Sequence, residues 1–191
     1  MLPLMAYQRF PMTNKKLDIY SVAKAAICIS LLSATAYLVI PVPPSGISLM
    51  TVMVNLIALV LTPTQAGLSM IAYVLMGIIG LPVFSGGTSG LSKIFGPTGG
   101  YYFGFILAVV LISLFKGREF SFPRYCAVTV LVGIPAQHIC AIIMMCFYNG
   151  FNVKAAFLSI SLPFILGDIV KAVMASFIGV KVNKALKKNK I

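Results

Sequence analysis

Six apolar blocks dominate the chain, at about 20–40, 47–62, 66–80, 99–115, 125–148 and 156–180. The placement of charge between them leaves few folds open. Hydrophobic residues make up 60% of the 191, and charged residues only 9%. A soluble domain this size needs far more polar surface, so the blocks are predicted to cross a bilayer as helices. The basic residues mark which side each end faces, because cytoplasmic connections carry the excess of Lys and Arg. Arg9, Lys15, Lys16 and Lys24 lie at the start of the chain. Lys116, Arg118 and Arg124 follow the fourth block, and Lys181, Lys184, Lys187, Lys188 and Lys190 end the chain.

Six crossings put these three clusters on one side; five would separate the two termini. Thr62-Pro63-Thr64-Gln65 is therefore read as a tight cytoplasmic turn between the second and third spans, not a kink inside one helix. The expected architecture is an all-α integral membrane protein with six transmembrane helices and both termini cytoplasmic. It forms a single membrane domain over 1–191. Residues 1–19 form a cytoplasmic arm, 20–181 the bundle and 182–191 a basic cytoplasmic tail. The first twenty residues lack a basic stretch followed by an apolar core and a small-residue cleavage site. Insertion is thus expected to begin with the first span.

The outward connections are then 41–46, 81–98 and 149–155. Pro41, Pro43 and Pro44 stiffen the first. The second holds GLPVFSGGTSG, a glycine-rich stretch between two greasy blocks, which reads as an external loop able to fold over something small. Pro135 and Pro163 lie inside apolar blocks and are expected to kink or begin helices.

Several function classes drop out. The net charge of +12 comes from segment ends, not from one basic surface, which argues against nucleic acid. Cys28, Cys126, Cys140 and Cys146 form no C-x-x-C and read as packed thiols, without metal or redox chemistry. There is no G-x-S-x-G, H-E-x-x-H or paired carboxylate, so no enzyme is expected. There is also no Walker A sequence, so any ATP hydrolysis belongs to another polypeptide.

The sixth block carries Asp168 and Lys171, three positions apart on one helix face. Ionisable groups within a bilayer cost at least a few kcal/mol each and mark functional sites by default. The pair either neutralises itself or offers an acceptor and a cation to a small ligand, and the second reading is preferred. A helix start near Ser159 places Asp168 about 13 Å along it. His138, Gln137, Asn55 and Asn149 read as interhelical or loop-end hydrogen-bonding groups. In the first block Ala26, Ser30 and Ala34 repeat every four residues, broadened by Ala23 and Ser33. Such a strip permits close helix approach, either within the bundle or against another subunit.

GLPVFSGGTSG (80–90), FGPTGGYYFGF (95–105) and LPFILGDIVKA (162–172), in this order and spacing, resemble the BioY family. These are the biotin-specific membrane S components of energy-coupling-factor (ECF) vitamin transporters. The resemblance spans about 20–181. It implies a compact six-helix S-component bundle that binds biotin near its outer face beneath external loops, with no cofactor. It implies ligand contacts from Asp168 and Lys171, from Gly86 and Gly87, and from Tyr101. Phe84, Tyr101 and Tyr102 suit an apolar wall for the ligand, and the backbone N–H groups of Gly86 and Gly87 suit its carboxylate. Lys93, on the outer side, either attracts that carboxylate or is a plain surface lysine, and the second reading is preferred. No ligand contact is assigned to 41–48. The strip of Ala26, Ser30 and Ala34 would meet a transmembrane coupling subunit, and two ATPase subunits would complete the transporter in a prokaryotic plasma membrane. The rival is a self-sufficient biotin or vitamin carrier, a facilitator or proton-coupled, without an ATPase.

Overall fold

The computed structural model describes residues 19–40 and 47–188, so the N-terminal arm, the three prolines of the first connection and the end of the tail fall outside it. Helix α1 (Ile19–Thr35) leads into a short antiparallel pair, β1 (Val39–Ile40) and β2 (Ile47–Ser48), in which Val39 faces Ser48. Helices α2 (Met50–Val60) and α3 (Pro63–Ile78) follow, then the short α4 (Leu91–Ile94) and α5 (Gly100–Phe115). Next come α6 (Phe122–Val128) and α7 (Ile134–Tyr148), joined by a π-helical turn at Thr129–Gly133. The chain ends in α8 (Val153–Ile160) and α9 (Leu162–Lys188). The helical paths are thus α1, α2, α3, α5, α6 through α7, and α9.

The turn between α2 and α3 is a true reversal. Leu61 and Thr62 are extended, Pro63 supplies a preset first helical residue, and Thr62 and Gln65 cap each other reciprocally. That capping box satisfies two of the backbone groups a helix start leaves open.

Among the described residues, only Phe122–Tyr148 and Leu162–Lys188, 27 residues each, are long enough to span a bilayer unaided. Helix α2, with 11 residues, rises only about 16 Å. Strand β2 and Leu49 lead into it on the cavity side, where protein and a polar cavity can satisfy irregular backbone.

Apolar side chains cover both the interior and the outer surface. Val54, Ile57, Ala108, Val109 and Ile112 are fully buried, while Ile79, Leu131 and Leu166 are more than 70% exposed. In lipid, packing rather than water exclusion holds helices together, and small residues let backbones approach. Helices α5 and α7 show this directly. A Cβ on Gly104 would stand 2.8 Å from Gln137 backbone, and one on Gly100 would meet Ala141 Cα at 2.7 Å. Pro135 opens α7 just beyond the π turn, since it lacks the N–H that would continue regular bonding.

The sixth apolar block is not one helix. It breaks at Ser161, and Pro163 sits in the first turn of the new helix. Asp168 is therefore six residues, about 9 Å, into α9, shallower than a start at Ser159 would give. Helix α9 also continues past 181. Asn183 is buried and donates to Leu59 O and to the Tyr125 hydroxyl, both at 3.0 Å, so the bundle reaches into the stretch read as a tail.

The two ends of the bundle differ chemically. At one, Arg118, Lys184, Lys187 and Lys188 gather around Glu119 and Phe120. At the other, the glycine-rich loop and the β pair close over a cavity.

Candidate ligand-binding site

The cavity measures about 290 Å³, close to the lower end of the range for small-molecule sites. Its floor comes from α9, where Asp168 is 6% exposed and Lys171 7%. Lys171 Nζ donates to Asp168 Oδ1 at 2.9 Å. Two further helices reach the same carboxylate: Thr51 Oγ1 of α2 donates to Oδ1 at 3.2 Å, and His138 Nε2 of α7 lies 3.1 Å from Oδ2. The last contact requires the proton on Nε2. The Tyr101 hydroxyl of α5 donates to Ile160 O and lies 3.4 Å from His138 Nδ1.

Capacity is left over in this network. An ionised carboxylate offers about four acceptor positions, and an ammonium three donors. Asp168 uses three of its positions, and Lys171 gives one hydrogen bond among the described residues. One acceptor and two donors thus remain on residues that line the cavity. The charges cancel, so the floor is polar but neutral when His138 is neutral. Above it Val39, Met50, Tyr101, Tyr102, Phe105 and Phe164 form a mostly apolar wall.

The glycine loop forms the roof. Gly86 and Gly87 both have positive φ, 75° and 70°, and Gly90 has 95°, a region most side chains avoid. The loop is tied to the end of α1: Gly86 N–H donates to Ala36 O at 2.8 Å, and the Tyr37 hydroxyl donates to Pro82 O at 2.7 Å. The Tyr37 ring lies where a Cβ on Gly87 would stand. Phe84 drives downward as a plug. It is fully buried between Tyr73 and Tyr102, and its ring occupies the space bared by Gly77.

These placements sort the site residues expected from sequence. Asp168, Lys171, Gly86 and Tyr101 share the cavity, and Tyr102 lines it as well. Phe84 is not in the wall; it anchors the roof in the core. Gly87 packs against Tyr37 instead of facing the cavity. The backbone N–H groups expected to serve a carboxylate are already used, Gly86 by Ala36 O and Gly87 by Phe84 O. Lys93 is no ordinary surface lysine: half-buried on α4, it lines the cavity. Ser48, within the stretch given no contacts, lines it too. His138 is interhelical as read, but its partner is Asp168. Thr51 escapes a reading of the sequence because a threonine inside an apolar helix carries no signal of its own. Ala26, Ser30 and Ala34 all point out of the bundle, while Ala25, Cys28, Ile29 and Leu32 of the same helix pack inward.

Fold and site together define a class: a helical membrane bundle with a polar-floored, apolar-walled cavity at one end. The model of the BioY family matches residues 12–188. A probable biotin transporter BioY from Pyrococcus horikoshii is 36% identical over 82% of this chain and 92% of its own length. Biotin transporter BioY from Thermotoga maritima is 34% identical over 84% and 94%, and biotin transporter BioY2 from Lactococcus lactis subsp. cremoris 30% identical over 92% and 95%. The fold matches the crystal structure of the S component for biotin from an ECF-type ABC transporter, with a TM-score of 0.78 over 87% of this chain and 92% of that one, at 24% identity. The chain belongs to the BioY family.

Proposed function

We propose that this chain binds biotin and serves as the substrate-binding membrane subunit of an ATP-driven uptake system. The observation that carries the reading is the Asp168–Lys171 floor, buried yet with unused hydrogen-bonding capacity facing a cavity. Biotin's ureido head offers two N–H donors and a carbonyl. One N–H suits the open position on Asp168 Oδ2, and the carbonyl suits the free N–H groups of Lys171. In a site shielded from water these bonds count for more. The fused rings and valeryl chain then lie along Tyr101, Tyr102, Phe105 and Phe164.

The roof loop opens to admit the ligand and closes on it, moving against its anchors at Ala36, Tyr37 and Gly77. The basic clusters face the cytoplasm in a prokaryotic plasma membrane, and the cavity faces out. The outward strip of Ala26, Ser30 and Ala34 docks a transmembrane coupling subunit, with a pair of ATPase subunits supplying the energy. The relatives named biotin transporters support this reading.

Titration of purified protein with biotin tests the ligand. Binding below micromolar concentration is expected, and no binding there would overturn the reading. Ala34→Trp tests docking: biotin binding stays unchanged while ATP-driven uptake in the assembled system is lost. If uptake persists, the partner sits elsewhere. Accumulation by the chain reconstituted alone would favour the self-sufficient carrier.

A further inference from the structure

A cluster of like charge is built into the end of the bundle away from the cavity. Arg118, Glu119 and Phe120, from the loop after α5, and Lys184, Lys187 and Lys188, from the end of α9, line one open hollow. Four cations stand there with one acid, a net charge of plus three. Among the described residues the ion pairs both fall on Asp168, so these four cations have no carboxylate partner there. Like charges repel, yet the fold holds the two segments together. Lys116 Nζ, two residues before Arg118, and Asn183 Nδ2, one residue before Lys184, donate to the same oxygen, Leu59 O, at 2.9 and 3.0 Å. The cations are thus gathered by buried hydrogen bonds and left without a counter-charge.

The outer face of α9 shows what would supply that counter-charge. Leu166, Val170, Val173 and Phe177 follow one another at steps of four, three and four residues, and all are exposed. The same face continues as Lys181, Lys184 and Lys188, also exposed. The change from apolar to cationic is abrupt. Leu166 to Phe177 rises about 16 Å, close to half of a hydrocarbon core about 30 Å thick. Aromatic rings mark the boundary. Lys181 Nζ lies 4.2 Å from the Phe177 ring centroid, and Phe122, itself exposed, meets Phe177 edge to face at 6.4 Å. Lys187 Nζ lies 5.8 Å from the Phe120 centroid. One continuous surface therefore offers an apolar track one leaflet deep and a net positive hollow at its end.

We propose that this surface is a binding site for one anionic phospholipid, with its phosphate in the hollow between Arg118 and Lys184, Lys187 and Lys188 and its acyl chains along Phe177 and Leu166. Basic pockets at the membrane surface recognise anionic headgroups in this way. A zwitterionic lipid fits worse, because its own cation meets a net positive hollow. An acidic face of a soluble protein would match the charge but would have no use for the apolar track that leads into it. Bound lipid links the end of α9 to the loop after α5 and lowers the repulsion between them. The site is separate from the ligand cavity, and it does not depend on what that cavity binds.

The test gives delipidated full-length protein in detergent phosphatidylglycerol and phosphatidylcholine of matched acyl chains, and counts retained lipid by native mass spectrometry. Wild type is expected to keep one phosphatidylglycerol per chain and to prefer it by at least about 10-fold, since each lysine near an anionic headgroup is worth about five-fold. Lys184→Gln with Lys187→Gln lowers that affinity about 25-fold on the same basis. Both side chains are exposed, so the helical circular dichroism of this variant stays that of wild type. Replacing the same two by arginine keeps the preference, and Lys154→Gln, exposed on α8 far from the hollow, leaves it unchanged. Glycerophosphate, a headgroup without chains, does not displace the lipid. Displacement by glycerophosphate would make the hollow a site for soluble phosphates and overturn the lipid assignment. Equal retention of the two lipids by wild type overturns it as well. So does an undiminished preference in the glutamine variant, and if that variant also loses ATP-driven uptake in an assembled system, the cluster belongs to an acidic protein surface instead.

Discussion

Lys116 and Lys171 are both drawn into this bundle, in different surroundings. Lys116, just beyond α5, donates all three of its N–H groups to backbone: Ala58 O at 3.0 Å, Leu59 O at 2.9 Å and Leu61 O at 2.5 Å. Those carbonyls belong to the end of α2, which has no further turn to bond them. A cation there also faces the negative end of the helix dipole. Ser113 and Asn183 complete the same knot on Leu61 O and Leu59 O. Lys116 is therefore saturated, and it lies outside the wall of the ligand cavity. Lys171 has an acid for a partner, keeps two donors unused among the described residues and lines the cavity. Burial alone does not separate a structural charge from a working one. Unused valence beside a cavity is what sets Lys171 apart in the proposed reading.

The contrast can be broken or sharpened by mutation. Lys116→Met removes three charge-assisted bonds and strands the end of α2, so a loss of about 3 kcal/mol of stability or more is expected. Thermal melting in detergent reads this. Biotin affinity of the protein that remains folded should stay within about two-fold, one kcal/mol being about five-fold. A large change in affinity would mean the two ends are coupled, and the comparison would lose its force.

Lys171→Met should behave in the opposite way. Affinity for biotin falls about 10- to 100-fold, the equivalent of a charged hydrogen bond and a buried acid left short of a partner. Stability falls less than in Lys116→Met, because Thr51 and His138 still hold Asp168. Equal affinity in wild type and variant would make the pair a structural ion pair after all.

The smallest effect belongs to His138→Gln. A glutamine amide can still donate toward Asp168 Oδ2, so affinity should drop by no more than about five-fold, while His138→Ala costs more because it removes the donor altogether. Equal losses in the two variants would show that ring packing against Tyr101, edge to face at 5.6 Å, matters more than the bond.

How much of this is legible in the chain follows from the same physics. The spans can be read because long apolar runs bounded by clustered lysines suit a membrane bundle and little else. The reversal at Thr62 can be read because proline and a reciprocal cap sit where charge placement demands a turn. Asp168 and Lys171 stand out because charge inside an apolar block is costly. Their partners do not. Thr51 is 117 positions from Asp168 in sequence and looks like any threonine in a membrane helix, and nothing local ties His138 to α9.

Phe84 is hard to place for a related reason. An aromatic beside a glycine loop suits a ligand wall equally well, and only the bare Cα of Gly77 across the fold shows it to be a plug. Loop flexibility alone suggests that the glycine N–H groups await a carboxylate, yet the end of α1 and Phe84 have already claimed them. Lys93 is underrated because sequence does not distinguish a lysine at a cavity wall from one on an open loop. Pro163 signals the break at Ser161, but hydropathy runs straight through it.

A structure of the protein with biotin bound tests the central claim most directly. The account predicts the ureido head on the floor, one N–H on Asp168 Oδ2 and the carbonyl on the Lys171 ammonium. Biotin found elsewhere, with Asp168 and Lys171 still closed on each other and the cavity empty, would contradict it.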